Sequence, residues 1–375
     1  MRVFEAITGP LYSNYSYELL LSMAAYTIGI VGLGAAARSI HLPAYSKLPE
    51  LRVVAGADAN VNPREFRFPV FPDVERLLVA TQPDILAVVT PPERHFEHAK
   101  LGLEAGCHVF CEKPFMTNLD EADAIIALSR QTGRMVVVNN QYRFMNIHRA
   151  VKERIGQPDF GNLLFLDARQ TFYTTPSTEA GWRGQDVRRT CKEFGTHIFD
   201  LCRFFFAEDP ISIFARMPKG DRPNGPDYLT LVQLEFSGDR VAQITLDRLS
   251  RGPHDYLTIR LDGSAGYLES HLGGGLVLST GIRGGKRVPF VKFDASMGGR
   301  TLQFQGERSR KIASDPIDVF AHATSQLLRA FLDGLDRGET PPCAAADNRK
   351  TLALMLRAYE SSELRRPIML DAASG

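Results

Sequence analysis

Two short stretches of this chain hold the residue types that interconversion of an alcohol and a carbonyl requires. One is Cys111-Glu112-Lys113-Pro114; the other is Glu193-Phe194-Gly195-Thr196-His197-Ile198-Phe199-Asp200. Oxidising a secondary alcohol takes a proton from oxygen while a hydride leaves carbon. His197 is the side-chain type whose ordinary pKa, about 6.5, suits a general base near neutrality. Lys113 can hydrogen-bond the same oxygen and stabilise a developing alkoxide with its charge. If the second stretch is helical from its start, Glu193 and His197 stand at i and i+4 on one face, and Asp200 is i+3 from His197. A lone histidine is more often structural, and a lone loop lysine is usually a solvated charge. Lysine between glutamate and proline at the end of a strand is not generic, and that placement favours chemistry.

The hydride needs an acceptor, and a third stretch provides for one. Thr27 to Val31 is β-rich and uncharged, as a buried parallel strand should be, and Gly32-Leu33-Gly34-Ala35-Ala36-Ala37 follows. Gly32 supports a tight turn, Gly34 lets the backbone approach a pyrophosphate, and Ala37 lets the next helix pack closely on the strand. A phosphate would sit at that helix start, with Ala35 and Ala36 in its first turn. Asp58 closes the next strand, Leu51 to Ala57, some 24 residues after Gly34. A carboxylate there accepts from the adenosine ribose hydroxyls and repels a 2′-phosphate. NAD is therefore the expected cofactor, with NADP as the alternative, since Arg64 is near enough in sequence to bind the extra phosphate. The bland role for Asp58 is capping a turn.

These residues must be brought together by the elements between them. From Thr27 to about Val138 strands and helices alternate: helix Pro72 to Ala80, strand Asp84 to Val89, helix Glu93 to Ala105, strand His108 to Cys111, helix Asn118 to Gln131 and strand Met135 to Val138. Such alternation predicts a doubly wound parallel sheet, whose ligands bind at the carboxyl ends of the strands. The residues just after the strands therefore matter most: Gly32, Asp58, Thr90-Pro91-Pro92, Glu112-Lys113-Pro114 and Asn139 to Arg143. The expected cofactor contacts are Gly32, Gly34, Ala35, Ala36, Asp58, Thr90, Pro91, Pro92, His95, Glu112, Lys113 and Gln141. His98 and Trp182 earn no role beyond lining the pocket. Tyr142 and Arg143 either line it or bridge the two halves of the chain.

After a crossover helix, about Asn146 to Ile155, the texture changes. Leu163 to Tyr173, Ile211 to Met217, Tyr228 to Phe236, Val241 to Leu249, Tyr256 to Leu261 and Gly266 to Ser270 read as strands of a largely antiparallel sheet. Asp318 to Leu335 and Ala346 to Glu363 read as amphipathic helices, while Gly273 to Gln305 is glycine-rich and gives no assignment. The expected fold is thus α/β: residues 27–145 form a dinucleotide-binding domain and 146–375 an α+β domain with a large open sheet. Residues 1–26 precede the first strand as an extension. Met23 stands four residues before it, so translation starting there is one explanation of the extension, to be refuted by an intact mass matching the full chain; an arm on a neighbouring subunit is the other.

The 375 residues suffice for two cores. Apolar residues make up 44% and charged residues 23%, with a net charge of +1. Neither the charge nor any basic run calls for nucleic acid, and no apolar stretch reaches the roughly 18 residues of a membrane span. Five scattered cysteines lack zinc spacing and a disulfide framework, which points to a reducing cytoplasm. No metal site is expected; His95-Phe96-Glu97-His98 is not the order of a metalloprotease helix.

Gly32-x-Gly34-x-x-Ala37, Thr90-Pro91-Pro92, Glu112-Lys113-Pro114, Tyr142-Arg143-Phe144 and Gly195-Thr196-His197-Ile198-Phe199-Asp200, in this order, resemble the glucose–fructose oxidoreductase, inositol dehydrogenase and rhizopine-catabolism (Gfo/Idh/MocA) family. The resemblance runs from about Thr27 to Leu370, and Asp347 to Arg366 is similar to the family's closing helix. It implies NAD(P)-dependent oxidation or reduction of a sugar, inositol or similar polyol, a homodimer or homotetramer, and a lysine–acid–histidine catalytic set. Here that set is Lys113, Glu193 and His197, with Lys113, Arg143, Glu193, His197 and Asp200 facing the substrate. The chain departs from the pattern in having Glu193 where the family has Asp, and Arg188-Arg189-Thr190-Cys191 in place of a glycine-rich lead-in. Arg188 and Arg189 could narrow the pocket or bind an acidic group on the substrate. Two other classes stay open: an eliminating enzyme that retains its NAD, and a sugar-sensing regulator without catalysis. Both Lys113 and His197 being present argues against the regulator.

Overall fold

Residues 25–174, 186–219, 225–273, 275–283, 288–296 and 298–370 are described by the structure, a computed structural model. Strand β1 (Tyr26–Val31) lies at the centre of a six-stranded sheet with β2 (Leu51–Ala57), β3 (Val70–Phe71), β4 (Ile85–Val88), β5 (His108–Cys111) and β6 (Val136–Val138). All pairings are parallel and the order is β3-β2-β1-β4-β5-β6. The order reverses between β1 and β4, so a crevice opens at their carboxyl ends, where such sheets take ligands. The helices start and stop where their residues dictate. Asp73 and Asn118 accept backbone N–H bonds at the starts of Val74–Thr81 and Leu119–Thr132, and Gly133, with φ +66°, ends the latter. The expected helix at Pro72 begins two residues later, because Asp73 caps it from extended backbone.

The second sheet has nine strands: β7 (Leu163–Thr171), β8 (Ser212–Arg216), β9 (Leu229–Phe236), β10 (Arg240–Asp247), β11 (Asp255–Gly263), β12 (Tyr267–Leu272), β15 (Gly299–Gln305), β16 (Arg308–Asp315) and β17 (Ile368–Met369). The unassigned glycine-rich stretch holds a separate hairpin, β13 (Gly275–Arg283) with β14 (Val288–Ser296), and then β15. Strand β16 went unseen in the sequence because its residues are mostly polar and half or more exposed, so no apolar alternation marks it. Every pairing in the nine-stranded sheet is antiparallel except β7 with β10. A parallel neighbour needs a long crossover, and helix Thr196–Phe206 lies on that crossover.

Alternate residues of the strands, such as Ala242, Ile244 and Leu246, bury one face of this sheet beneath Ile198, Leu201 and Phe205 of that helix. Full burial of each such side chain contributes about 1.5–3 kcal/mol. Phe205 and Phe206 are buried in the core. The late helix Val319–Arg337 returns to the first sheet, where Phe331 stacks on Phe110 of β5 at 6.3 Å. Asn348 of the closing helix Ala345–Leu364 pairs with Asn140, just past β6. The two sheets are thus held at a fixed angle around the crevice.

Candidate active site

The crevice is a cavity of about 930 Å³ running from Gly32, Gly34 and Asp58 to Lys113, Glu193 and His197. At its first end Gly32 has φ +89°, and a Cβ there would lie 2.6 Å from the Val89 carbonyl, so only glycine fits. A Cβ on Gly34 would meet nothing within 4 Å. Backbone at Gly34 is therefore open to a large ligand. Ala37 is fully buried against the sheet, as close packing of this helix requires. The Asp58 carboxylate accepts from Leu33 N–H at 2.9 Å and from Asn60 N–H at 2.8 Å. It thereby both caps its own turn and pins the glycine turn to β2. A carboxylate has about four acceptor positions, so two remain for ribose hydroxyls. Ala35, Ala36, Thr90, Pro91, Pro92 and Gln141 line the same cavity. Arg64 does not; it sits exposed in the turn Pro63–Glu65. The Asp58 acceptors and the open backbone at Gly34 fit a dinucleotide.

At the other end Glu112 and Lys113 follow β5. Glu112 accepts from Asn139 at 2.7 Å and from Lys113 N–H at 3.0 Å, and its Oε1 is 2.7 Å from His41 Nε2. Burial alone would raise its pKa, but the bond to His41 and the nearby His41 and Lys113 charges hold it at about 2. Glu112 is thus a fixed anion that orients the start of the lysine loop. Lys113 Nζ donates to the Glu193 carbonyl at 3.0 Å, which joins the two stretches Cys111–Pro114 and Glu193–Asp200.

His197 is buried and stacks on Tyr142, ring centroids 4.0 Å apart and 6° from parallel. The Tyr142 hydroxyl in turn bonds Tyr256. His197 Nδ1 is sealed from solvent without a hydrogen-bond partner, which leaves Nε2 as the nitrogen available to a ligand. Burial, then the Lys113 charge, pushes His197 well below its ordinary pKa, so it is a neutral imidazole at pH 7. The expected Glu193–His197 pairing does not form. Residues Cys191–Gly195 make a π-helical turn, in which Thr196 N–H reaches back five residues to Cys191, before the α-helix Thr196–Phe206 begins. The Glu193 carboxylate instead lies 3.8 Å from Arg189 Nε and 3.7 Å from Arg248 Nη2.

Three further expected contacts lie off the cavity. Asp200 is fully buried and takes a bidentate bond from Arg143, 2.6 Å at each oxygen, while Arg143 Nη1 reaches Asp347 at 2.9 Å. Burial alone would lower the Arg143 pKa, and the two carboxylates raise it, so the guanidinium stays charged. Both residues lie off the cavity lining, because a buried carboxylate on the inner helix face must find a cation. His95 is likewise fully buried. Its ring spans Pro114 O at 3.0 Å and Thr90 O at 2.9 Å, so it ties two cavity loops together without reaching the cavity. His98 does line it, within 3.1 Å of Thr90 Oγ1. Arg188 is exposed, pairs with Glu363 and stacks on Tyr359, whereas Arg189 is buried on the cavity wall. Trp182 lies outside the described residues.

Sequence reasoning missed His41, Arg248 and Tyr256. Arg248 had a signal: an arginine at an inward position directly after the alternating strand β10. His41 had none, because its partner Glu112 is 71 residues away. All five cysteines are buried thiols. Among the described residues, no helix is long and apolar enough to cross a membrane, and no cluster of three or more His, Cys, Asp or Glu could hold a metal.

Residues 26–140 match the model of the oxidoreductase family with NAD-binding Rossmann fold (GFO_IDH_MocA), and 148–269 match the GFO/IDH/MocA C-terminal domain. The chain is 25% identical to D-apiose dehydrogenase of Paraburkholderia graminis over 92% of its own length and 89% of that protein. With D-glucoside 3-dehydrogenase of Escherichia coli K12 it shares 28% identity over 38% of this chain and 42% of that one. Among solved structures, aldose-aldose oxidoreductase of Caulobacter crescentus superposes with TM-score 0.76 at 18% identity, covering 92% of this chain and 99% of that one.

Proposed function

The chain belongs to the Gfo/Idh/MocA oxidoreductase family, and from that premise we propose that its cavity transfers hydride between nicotinamide and a secondary alcohol of a sugar, inositol or sugar derivative. The observation that carries this reading is that Lys113 and His197 line the same cavity as the Gly32–Gly34 turn. Gly32, Gly34, Asp58, Thr90, Pro91, Pro92, Gln141 and Glu112 would hold NAD, which when bound supplies the hydride acceptor. The buried neutral His197 accepts the alcohol's O–H proton while the C–H electron pair departs as hydride, leaving the carbonyl. Lys113, held by the Glu193 carbonyl, donates to the same oxygen as its negative charge grows. Carbonyl reduction uses the same groups in reverse. Tyr142 keeps the imidazole plane fixed through stacking, so the base is oriented before the substrate arrives. Glu193 acts through its carbonyl on Lys113 and through its carboxylate on the two arginines. Arg143, Asp200 and His95 position the walls.

The test is reduced-nicotinamide absorbance with a panel of sugars, inositols and sugar acids, using NAD and NADP in turn. Turnover with one class, lost in Lys113→Ala and His197→Ala, is the expected result. Bound cofactor with no net NADH from any alcohol would overturn it in favour of an eliminating enzyme that retains its NAD.

A further inference from the structure

Strand β10 buries Ala242, Ile244 and Leu246 at alternate positions, and the next residue in that series, Arg248, breaks the apolar run at the cavity wall. Its backbone is fixed: the N–H donates to Tyr228 O at 2.8 Å and the carbonyl accepts from Thr174 N–H at 3.0 Å. Its guanidinium carbon lies 3.7 Å from the centre of the Phe194 ring and 4.4 Å from that of Phe172. Two aromatic faces therefore set the plane of the fork. The residue is only 5% exposed, and its Nε and Nη2 are buried with no hydrogen-bond partner. The nearest carboxylate oxygen, Glu193 Oε2 at 3.7 Å, is beyond hydrogen-bond reach. That oxygen also lies 3.8 Å from Arg189 Nε, so both buried guanidinium groups face it. Lys113 joins them through the Glu193 carbonyl. Burial and the neighbouring Arg189 push Arg248 down to about 10, the response of a cation short of counter-charge.

A buried charged donor left without an acceptor is costly, and sites of this kind gain most from a ligand that supplies one. A hydroxyl would satisfy one N–H at a time. A carboxylate also supplies a negative charge, which this guanidinium has only at 3.7 Å. We propose that the substrate is a polyol acid, an aldonate or uronate, whose carboxylate pairs with the Arg248 guanidinium on the cavity wall. This inference rests on the dehydrogenase reading of the same cavity and narrows its substrate class. Specificity then lies in charge recognition on β10, while Lys113 and His197 act on a hydroxyl of the same molecule.

The experiment uses the full chain with NAD and matched sets of gluconate or glucuronate, glucose and glucose 6-phosphate, with the galactose set alongside. The acid is expected to exceed its neutral parent in kcat/KM by about 100-fold or more. Arg248→Met should erase most of that preference through KM, and Arg248→Lys should restore part of it. In a parallel measurement the acid should raise the Tm of the NAD-bound wild type and leave that of Arg248→Met unmoved. Quenching of protein fluorescence by NAD verifies that each variant is folded, and Arg248→Lys carries the test if the methionine variant is not. Neutral sugars or sugar phosphates turned over better than the acids would overturn the inference and leave the dehydrogenase reading standing. If no compound yields NADH, that reading fails, and the melting shift alone then decides whether Arg248 binds carboxylates.

Discussion

Replacing Asp200 by asparagine separates a structural role from a substrate-binding one. The carboxylate is fully buried, accepts two 2.6 Å bonds from Arg143, and lies 3.2 Å from Thr351 Oγ1. Asparagine keeps one acceptor but turns an NH₂ toward the guanidinium, so one charge-assisted bond becomes a donor–donor contact. Breaking a buried ion pair costs about 3–5 kcal/mol. Asp347 still holds Arg143 Nη1 at 2.9 Å, so the lower figure applies. At about 2–4 °C per kcal/mol for a unit of this size, a loss of about 3 kcal/mol lowers Tm by about 6–12 °C. Because Arg143 and Asp200 lie off the cavity, KM for the polyol should change less than about threefold when assayed well below the new Tm. The assay pairs a thermal melt with steady-state kinetics of Asp200→Asn. An unchanged Tm together with a tenfold rise in KM would refute the reasoning and return Asp200 to the substrate wall.

Gly32→Ala forces a side chain into φ +89° and to 2.6 Å from the Val89 carbonyl; NAD affinity, read by fluorescence quenching, should fall at least about tenfold, since the turn cannot keep its path. His197 is depressed by burial and by Lys113, so kcat/KM for oxidation should be flat at neutral pH and fall only as pH drops through a value below 6.5. In Lys113→Met, any residual activity should show that acid limb displaced upward, because one cause of the depression is gone. Glu112 is held at about 2 against an ordinary 4.5. Its stabilisation is therefore complete above pH 4.5 and lost as pH falls toward 2, worth roughly 3 kcal/mol in all. The urea stability gap between wild type and Glu112→Gln should close across that window.

The parallel sheet was legible because its strands are mostly apolar runs punctuated by glycine and capped helices, and such patterns are local. Lys113 and His197 were legible for the same reason: each sits in a short run whose neighbours define its place. What lay beyond the sequence were relations across distance. The Glu193 carboxylate faces Arg189 and Arg248 rather than His197, a placement that no residue type announces. His41 meets Glu112 only because the first helix folds over β5, and Arg143 meets Asp200 only because helix Thr196–Phe206 turns its acid inward. Arg248 is an ordinary arginine after a strand until Phe172 and Phe194 enclose it beside Glu193. Residue type and spacing thus determined the fold and the expected cofactor, and pointed to Lys113 and His197 as the proposed reacting pair. Tertiary packing alone decided which charges are spent on one another and which face the substrate, because burial forces each charge to find a partner and only the folded chain sets who is in reach.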